Sequence, residues 1–283
     1  MKHSSSSRGP HAIRPLVSVI IPTYNSCKTL AACLGSIKRQ SHENIELIVV
    51  DACSSDNTLQ ISERYGARAF LLSEERSPAR NFGATQAKGE FLFFVDSDME
   101  LAPSTIGDCV TICVRKNAGV VIIPEESIGD CFLARCKKME KAMHRGLAYC
   151  EAPRFFRREV FEFIGGYDES LVIGEDFELT QRIRTAGFTI SRCKAIIKHH
   201  EEYLSLRRII SKSYYYGKTL PTYARKAPSL AFRTSSPLHF FRNLSLLRKE
   251  PVCFAGLCSL KLVEYAAYSS GAFSSIVGGS NRK

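Results

Sequence analysis

The sequence predicts an α/β fold, with a mostly parallel central sheet flanked by helices and a helical extension at the C-terminal end. Three observations carry this. Apolar runs such as Phe91-Leu92-Phe93-Phe94-Val95 are unbroken, the pattern of strands buried on both faces. Helix-like stretches of about 10–15 residues separate these runs, the spacing of βαβ units. Several runs end abruptly in polar residues, and right-handed crossovers deliver such ends to one edge of a sheet.

The elements follow in order. Val17-Ser18-Val19-Ile20-Ile21 is a buried strand closed by Pro22, and Thr23-Tyr24-Asn25-Ser26 is a turn with capping residues. The next helix places Leu30, Leu34 and Ile37 on one face. Residues 45–50 form the second strand, ending in Asp51, and a helix then runs to about Tyr65, with Gly66 as its stop. Residues 69–72 make a short third strand. Ser77-Pro78 opens a helix, with proline in its favoured first turn. The phenylalanine-rich strand at 91–95 runs into Asp96-Ser97-Asp98. Pro22–Asn25, Asp51 and Asp96–Asp98 therefore emerge together, at the edge where open α/β sheets bind ligands. A helix over 103–117 and a strand over 119–123 complete this half, and residues 124–127 read as a loop on the same edge.

The second half reads as a helix over 131–147, a strand at 154–157 and a helical turn at 160–164. Gly174-Glu175-Asp176 precedes a helix that stops at Gly187. Residues 189–198 read mostly as a strand that delivers His199-His200. An amphipathic helix runs from 204 to about 216, with Gly217 as its stop. The expected organisation is an arm at 1–15, a first half at 16–124, a second half of the same domain at 125–217, and an extension at 218–283. Glu125, Glu140, Glu151 and Arg154 lie between the halves, as candidates for lining a pocket.

Composition bounds the function. The chain has 283 residues, 45% hydrophobic and 24% charged, an ordinary globular balance. Eleven cysteines lack paired spacing, so neither a disulfide framework nor a structural zinc site is expected. The serine-rich basic start has no apolar core and is not a signal peptide. Both features fit a reduced, cytoplasmic protein. The net charge of +11 is uneven: residues 181–283 hold 18 Lys and Arg against 4 Asp and Glu. A basic rear meeting something anionic is the expectation.

The chemistry begins at Asp96-Ser97-Asp98. Two adjacent carboxylates repel unless a cation lies between them, and Mg²⁺ or Mn²⁺ is held by one or two carboxylates together with substrate phosphates. Val19-Ile20-Ile21-Pro22-Thr23-Tyr24-Asn25, Val49-Val50-Asp51, Ser54-Ser55-Asp56, Arg80-Asn81, Asp96-Ser97-Asp98, Gly165-Gly166-Tyr167-Asp168-Glu169 and Gly174-Glu175-Asp176-Phe177-Glu178-Leu179 follow in an order that resembles glycosyltransferase family 2. The resemblance runs from about Pro15 to Gly217. It implies a GT-A fold, a Rossmann-like nucleotide-binding half fused to an acceptor half over one sheet. It also implies transfer of a sugar, with inversion, from a UDP- or GDP-sugar.

By that resemblance Asp51 accepts the imide N–H of a uracil, and Pro22, Thr23, Tyr24 and Asn25 line the base and ribose. Arg80 reaches the nucleotide, and Asp96 contacts ribose or metal. Asp98 ligates Mn²⁺ or Mg²⁺, a Lewis acid for the leaving diphosphate. His199, aligned better than its neighbour His200, completes the metal site. Asp176 is the base, with Glu175 beside it, at a helix start where negative charge is favoured. Gly166, Tyr167, Asp168 and Glu169 bind the acceptor, a glycan or a polyprenyl-phosphate-type lipid carrier.

The extension is basic to Lys226 and then apolar from 251 to 277, interrupted by Lys261 and Glu264. That is no clean transmembrane span, but it suits a segment at the cytoplasmic face of a membrane. No nucleic-acid motif accompanies the basic charge, so no nucleic-acid partner is expected. No Gly-x-Gly-x-x-Gly follows the first strand, which disfavours a dinucleotide dehydrogenase. The alternative reading is a non-catalytic nucleotide-sugar-binding partner in a membrane-associated glycan assembly complex.

Overall fold

The computed structural model describes residues 14–144, 146, 151–201, 203–235 and 250–280. Most of the expected N-terminal arm lies outside these residues. The strands are β1 (Val17–Thr23), β2 (Ile45–Asp51), β3 (Arg68–Leu71), β4 (Phe91–Phe94), β5 (Met99–Glu100), β6 (Val120–Ile122), β7 (Glu125–Ile128), β8 (Pro153–Arg157), β9 (Ile190–Arg192) and β10 (Ile197–His200). The helices are α1 (Leu30–Lys38), α2 (Thr58–Arg64), α3 (Arg76–Gln86), α4 (Thr105–Lys116), α5 (Phe132–His144), α6 (Arg158–Ile164), α7 (Glu175–Thr185), α8 (Leu206–Lys226), α9 (Pro228–Ser235) and α10 (Pro251–Ser280).

Among the described residues a seven-stranded sheet has the order β3-β2-β1-β4-β8-β6-β9. All its neighbours pair in parallel except β8, which runs antiparallel to β4 and β6. Every residue of β1 and β4 is buried, as their unbroken apolar runs require. Helices cover both faces. On one, Leu30, Leu34 and Ile37 of α1 pack with Val19, Phe93 and Ile106. On the other, Phe94 meets Phe156, Phe161 and Tyr167 at ring centroid distances of 5.5, 5.0 and 5.3 Å.

The second half departs from the expected elements in three ways. Residues 124–127 are not a loop, because β7 is the outer strand of a small sheet of order β5-β10-β7. The expected strand over 189–198 is two strands in two sheets: β9 extends the large sheet beside β6, and β10 pairs with β5 and β7. The apolar pattern is shared by both pieces, so sequence alone does not show the break. Gly217 does not stop α8, which runs on to Lys226 through Pro221. A Cβ at Gly217 would stand 2.0 Å from the Tyr268 carbonyl oxygen, and one at Gly271 would stand 2.1 Å from that of Tyr214. These glycines let α8 and α10 touch backbone to backbone.

The extension is therefore packed against the domain. On α10, Cys253, Leu257 and Leu260 join Cys136, Met139 and Met143 of α5 and Ile209 of α8 in one cluster. Its two charged residues turn inward: Lys261 pairs with Glu140, and Glu264 pairs with Lys137 at 2.5 Å. Among the described residues no helix is long and apolar enough to cross a membrane.

Candidate active site

The carboxyl ends of β1, β2 and β4 open into a cleft of about 660 Å³. Pro22, Thr23, Tyr24, Asp96, Ser97, Asp98 and His199 line it, so three strand ends far apart in sequence do meet. The cleft also has walls that the sequence reading missed: Ser73, Glu74, Glu75 and Arg76 before and at the start of α3, and Lys212 from α8. The basic, aromatic pattern of α8 was visible, but not the direction it faces.

Asp51 and Arg80 do not line the cleft. Asp51 is wholly buried, and its carboxylate accepts from Thr23 Oγ1 at 2.7 Å, Ser54 N at 2.7 Å and Ser54 Oγ at 2.6 Å. It clamps the loop after β2 to the end of β1. Asn25, exposed and at φ 47°, accepts from the Ser55 amide at 2.9 Å and so braces the same loop.

Arg80, 1% exposed, is the centre of a charge lattice. Its guanidinium reaches Asp96 Oδ1 at 2.9 Å, Glu175 Oε1 at 3.4 Å and Asp176 Oδ1 at 3.5 Å. Arg154 holds the other oxygen of Asp96 at 3.1 Å and Glu125 at 2.7 Å, and Arg76 approaches Glu175 at 3.6 Å. Burial opposes charge on Asp96, yet Arg154, Arg80 and Arg76 hold its carboxyl well below the usual range. Against the same burial, Arg154, Lys141 and His199 bring Glu125 down to about 2. Glu175 goes the other way: burial first, then the neighbouring Asp176, push it up to about 7.

Glu175 and Asp176 stand in the first turn of α7, where the helix dipole favours negative charge. Gly174 before them has φ +72°, and a Cβ there would meet the Tyr223 ring at 2.2 Å, so only glycine brings α8 against this turn. Both carboxylates line a second cavity of about 380 Å³, whose other walls come from α5, α8, α10, Arg76 of α3 and Val172 and Ile173 before α7. Arg76 lines both cavities. Of the four residues expected at the acceptor, Tyr167 is 3% exposed in the core, and Gly166 packs on Asn81. Asp168 pairs with Lys226 at 2.6 Å, and Glu169 accepts from Asn81 at 2.9 Å. They brace the approach to α7 and line neither cavity.

His199 Nε2 stands 3.0 Å from Asp98 Oδ1 at the cleft. That oxygen is shielded from solvent and has no hydrogen-bond partner of good geometry beyond this ion pair. A carboxylate oxygen and an imidazole nitrogen so placed fit a hard divalent cation such as Mn²⁺, for which His199 would have to give up its proton. Burial opposes a proton on His199, but contact with Asp98 and Glu201 raises it to about 9. Asp96 is a poorer donor, since two arginines take both its oxygens. His200 turns away, toward Glu100 at 3.3 Å. No cluster of three or more His, Cys, Asp or Glu side chains close enough to hold a metal occurs among the described residues.

A cleft over the carboxyl ends of parallel strands, walled by a second half of the same sheet, defines the GT-A class of fold. The pattern of glycosyl transferase family 2 matches residues 18–164, and the chain belongs to that family. Two solved structures share the fold. Staphylococcus aureus TarS (residues 1–349, with UDP-GlcNAc) has a TM-score of 0.58 at 21% identity, covering 93% of this chain and 92% of that one. The mannosyltransferase PcManGT of Pyrobaculum calidifontis, with GDP-Man and Mn²⁺, has a TM-score of 0.58 at 18% identity, covering 96% and 77%. In sequence, the S. aureus poly(ribitol-phosphate) beta-N-acetylglucosaminyltransferase TarS is 27% identical over 250 residues, 82% of this chain and 40% of that protein. The Escherichia coli UDP-Glc:alpha-D-GlcNAc-diphosphoundecaprenol beta-1,3-glucosyltransferase WfgD is 41% identical over 129 residues, 42% of this chain and 51% of that protein. The chain thus spans between two fifths and about half of the length of these two relatives.

Proposed function

We propose that the chain is an inverting glycosyltransferase that moves a sugar from a UDP- or GDP-sugar to an acceptor hydroxyl. The observation that carries this reading is Arg80, which joins Asp96 at the donor cleft to Asp176 at the second cavity. The nucleotide occupies the cleft between Pro22, Thr23 and Tyr24 and the Ser73–Arg76 wall, with Asp51 and Asn25 holding the loop beneath it. Lys212 and Arg76 face the diphosphate. The acceptor oxygen forms a bond to the anomeric carbon as the bond from that carbon to the diphosphate oxygen breaks. The electron pair leaves with the nucleoside diphosphate, and the acceptor proton passes to the Asp176 carboxylate. One base and no enzyme nucleophile give inversion. Asp98 and His199 would hold Mn²⁺ or Mg²⁺, which supplies Lewis-acid stabilisation of the leaving diphosphate.

The donor half is residues 16–124 and the acceptor half 125–217, with the extension at 218–283 completing the latter. A glycan acceptor, free or lipid-linked, accords with the activities of TarS and WfgD. Contact with an anionic membrane surface is supported by the outer stripe of α10, where Val252, Leu262, Phe273 and Ile276 are 63–72% exposed while its charged residues turn inward. Arg207 and Arg208 of α8 are exposed and of the complementary sign.

Asp176→Asn tests the catalytic reading: transfer is lost while nucleotide binding, followed by thermal shift, is retained. Retained transfer would show that Asp176 is not the base. Liposome flotation with phosphatidylserine vesicles tests the surface, since Leu262→Glu with Phe273→Glu should abolish recovery in the lipid fraction. Equal recovery of wild type and variant sinks membrane contact.

A further inference from the structure

His199 takes its place from β10, the middle strand of the small sheet, where it pairs with Met99 of β5 and Ser127 of β7. Side chains alternate along an extended chain, so Glu201 falls on the same side as His199, and His200 on the other. The Glu201 amide donates to the Ile128 carbonyl at 2.9 Å, which fixes where its side chain begins. We propose that Glu201 is a positioning residue for His199 and that Lys141 of α5 is its counterweight. Glu201 holds the Nδ1–H of the ring so that Nε2 is open toward Asp98, and Lys141 limits how tightly a divalent cation is held there. The inference rests on the reading of Asp98 and His199 as ligands and adds the groups that set their affinity.

The geometry around the far side of the ring carries this. Nε2 stands 3.0 Å from Asp98 Oδ1, and Nδ1 stands 3.5 Å from Glu201 Oε1. That Glu201 oxygen also accepts from Ser127 Oγ at 3.1 Å, which aims it. The other oxygen, Oε2, is shielded from solvent and has no hydrogen-bond partner of good geometry. Glu201 thus has accepting capacity to spare beside an imidazole N–H. A carboxylate behind a ligating histidine is the arrangement that fixes the tautomer and turns the ring toward a metal.

Lys141 makes the opposite demand. Its ammonium lies against the same Nδ1. A neutral imidazole has one N–H and one lone pair. An ammonium donating to Nδ1 leaves the hydrogen on Nε2, the tautomer that cannot bind a cation through that atom. A carboxylate accepting from Nδ1–H selects the other tautomer. The ammonium also repels a second cation in a partly buried site. Glu201 is not placed there merely to neutralise Lys141. Glu125 stands nearer to Lys141, at 3.3 Å against 3.8 Å for Glu201, and Glu125 is itself held by Arg154 at 2.7 Å.

The test is Mn²⁺ binding to the full chain with UDP present, read from the paramagnetic resonance signal of free Mn²⁺, so that no transfer activity is needed. Glu201→Leu should weaken Mn²⁺ about tenfold or more, the usual cost of losing such a partner. Glu201→Gln keeps an accepting oxygen and should weaken it less. Lys141→Met should tighten it about threefold or more. The two sides therefore change affinity in opposite directions, which damage to the fold would not do. Unchanged affinity in Glu201→Leu, equal losses in the Leu and Gln variants, or failure of Lys141→Met to tighten binding would overturn the inference. So would a drop in metal-free melting temperature in Glu201→Leu large enough to account for its loss. No Mn²⁺ binding by the wild type, or full binding by His199→Ala, would instead remove the metal reading itself, and the inference with it.

Discussion

Replacing Arg80 by methionine removes the cation at the centre of the lattice with little change in volume. Arg80 is 1% exposed and stands within 3.5 Å of three carboxylates. After the change Asp96 keeps Arg154 and Glu175 keeps Arg76, but Asp176 loses the one guanidinium contact recorded for it. Breaking a buried pair by deleting one partner costs about 3–5 kcal/mol, because the other charge stays buried and uncompensated. Two of the three carboxylates retain a cation, so the expectation is the lower part, about 3 kcal/mol. Urea denaturation at pH 7 measures it, with Asp176→Asn alone and in combination. The double variant should recover at least about 1 kcal/mol, since it removes the charge left without a cation. A loss below about 1 kcal/mol, the range of surface pairs, would refute the lattice as the structural centre of the site.

Other outcomes follow from the same geometry. Glu175, raised from its ordinary value near 4.5 to about 7, is held protonated by the fold. Its contribution to stability is complete below about pH 4.5 and is lost as pH rises to about 7; the displacement is worth about 3 kcal/mol. Glu175→Gln should therefore flatten the stability profile across that interval, and an unchanged slope would show Glu175 ionised throughout. Asp98→Ala and His199→Ala should each abolish the Mn²⁺-dependent part of the UDP thermal shift while leaving the metal-free melting temperature within a few degrees; a full shift in both would remove these residues from the metal site. Gly217→Ala should cost about 1–3 kcal/mol in urea, because its Cβ would stand 2.0 Å from the Tyr268 carbonyl oxygen. In Gly107→Ala the nearest atom is 3.6 Å away, so this helical control should be neutral or stabilising by up to about 1 kcal/mol, and equal losses at both sites would show that helix contact is not the cause.

The sequence by itself determined the first half almost completely. Continuous apolar runs in β1, β2 and β4 specify strands buried on both faces, and the handedness of βαβ crossovers sends their ends to one edge. That is why Pro22–Tyr24 and Asp96–Asp98 were legible as one cleft. These signals are local in sequence and repeat along the chain. The second half was less legible because its decisions are long-range. Whether residues 190–200 form one strand or two depends on which neighbours offer free edges, namely β6 for one piece and β5 and β7 for the other. Arg80 looked like a group for the nucleotide. Only tertiary packing shows it enclosed by Asp96, Glu175 and Asp176, which are up to 96 positions away. Lys261 and Glu264 read as interruptions of an apolar segment. The fold turns them inward to Lys137 and Glu140, because a buried charge is tolerated where an opposite charge meets it. That inward turn closes the second cavity with tyrosines, a wall no local pattern could announce.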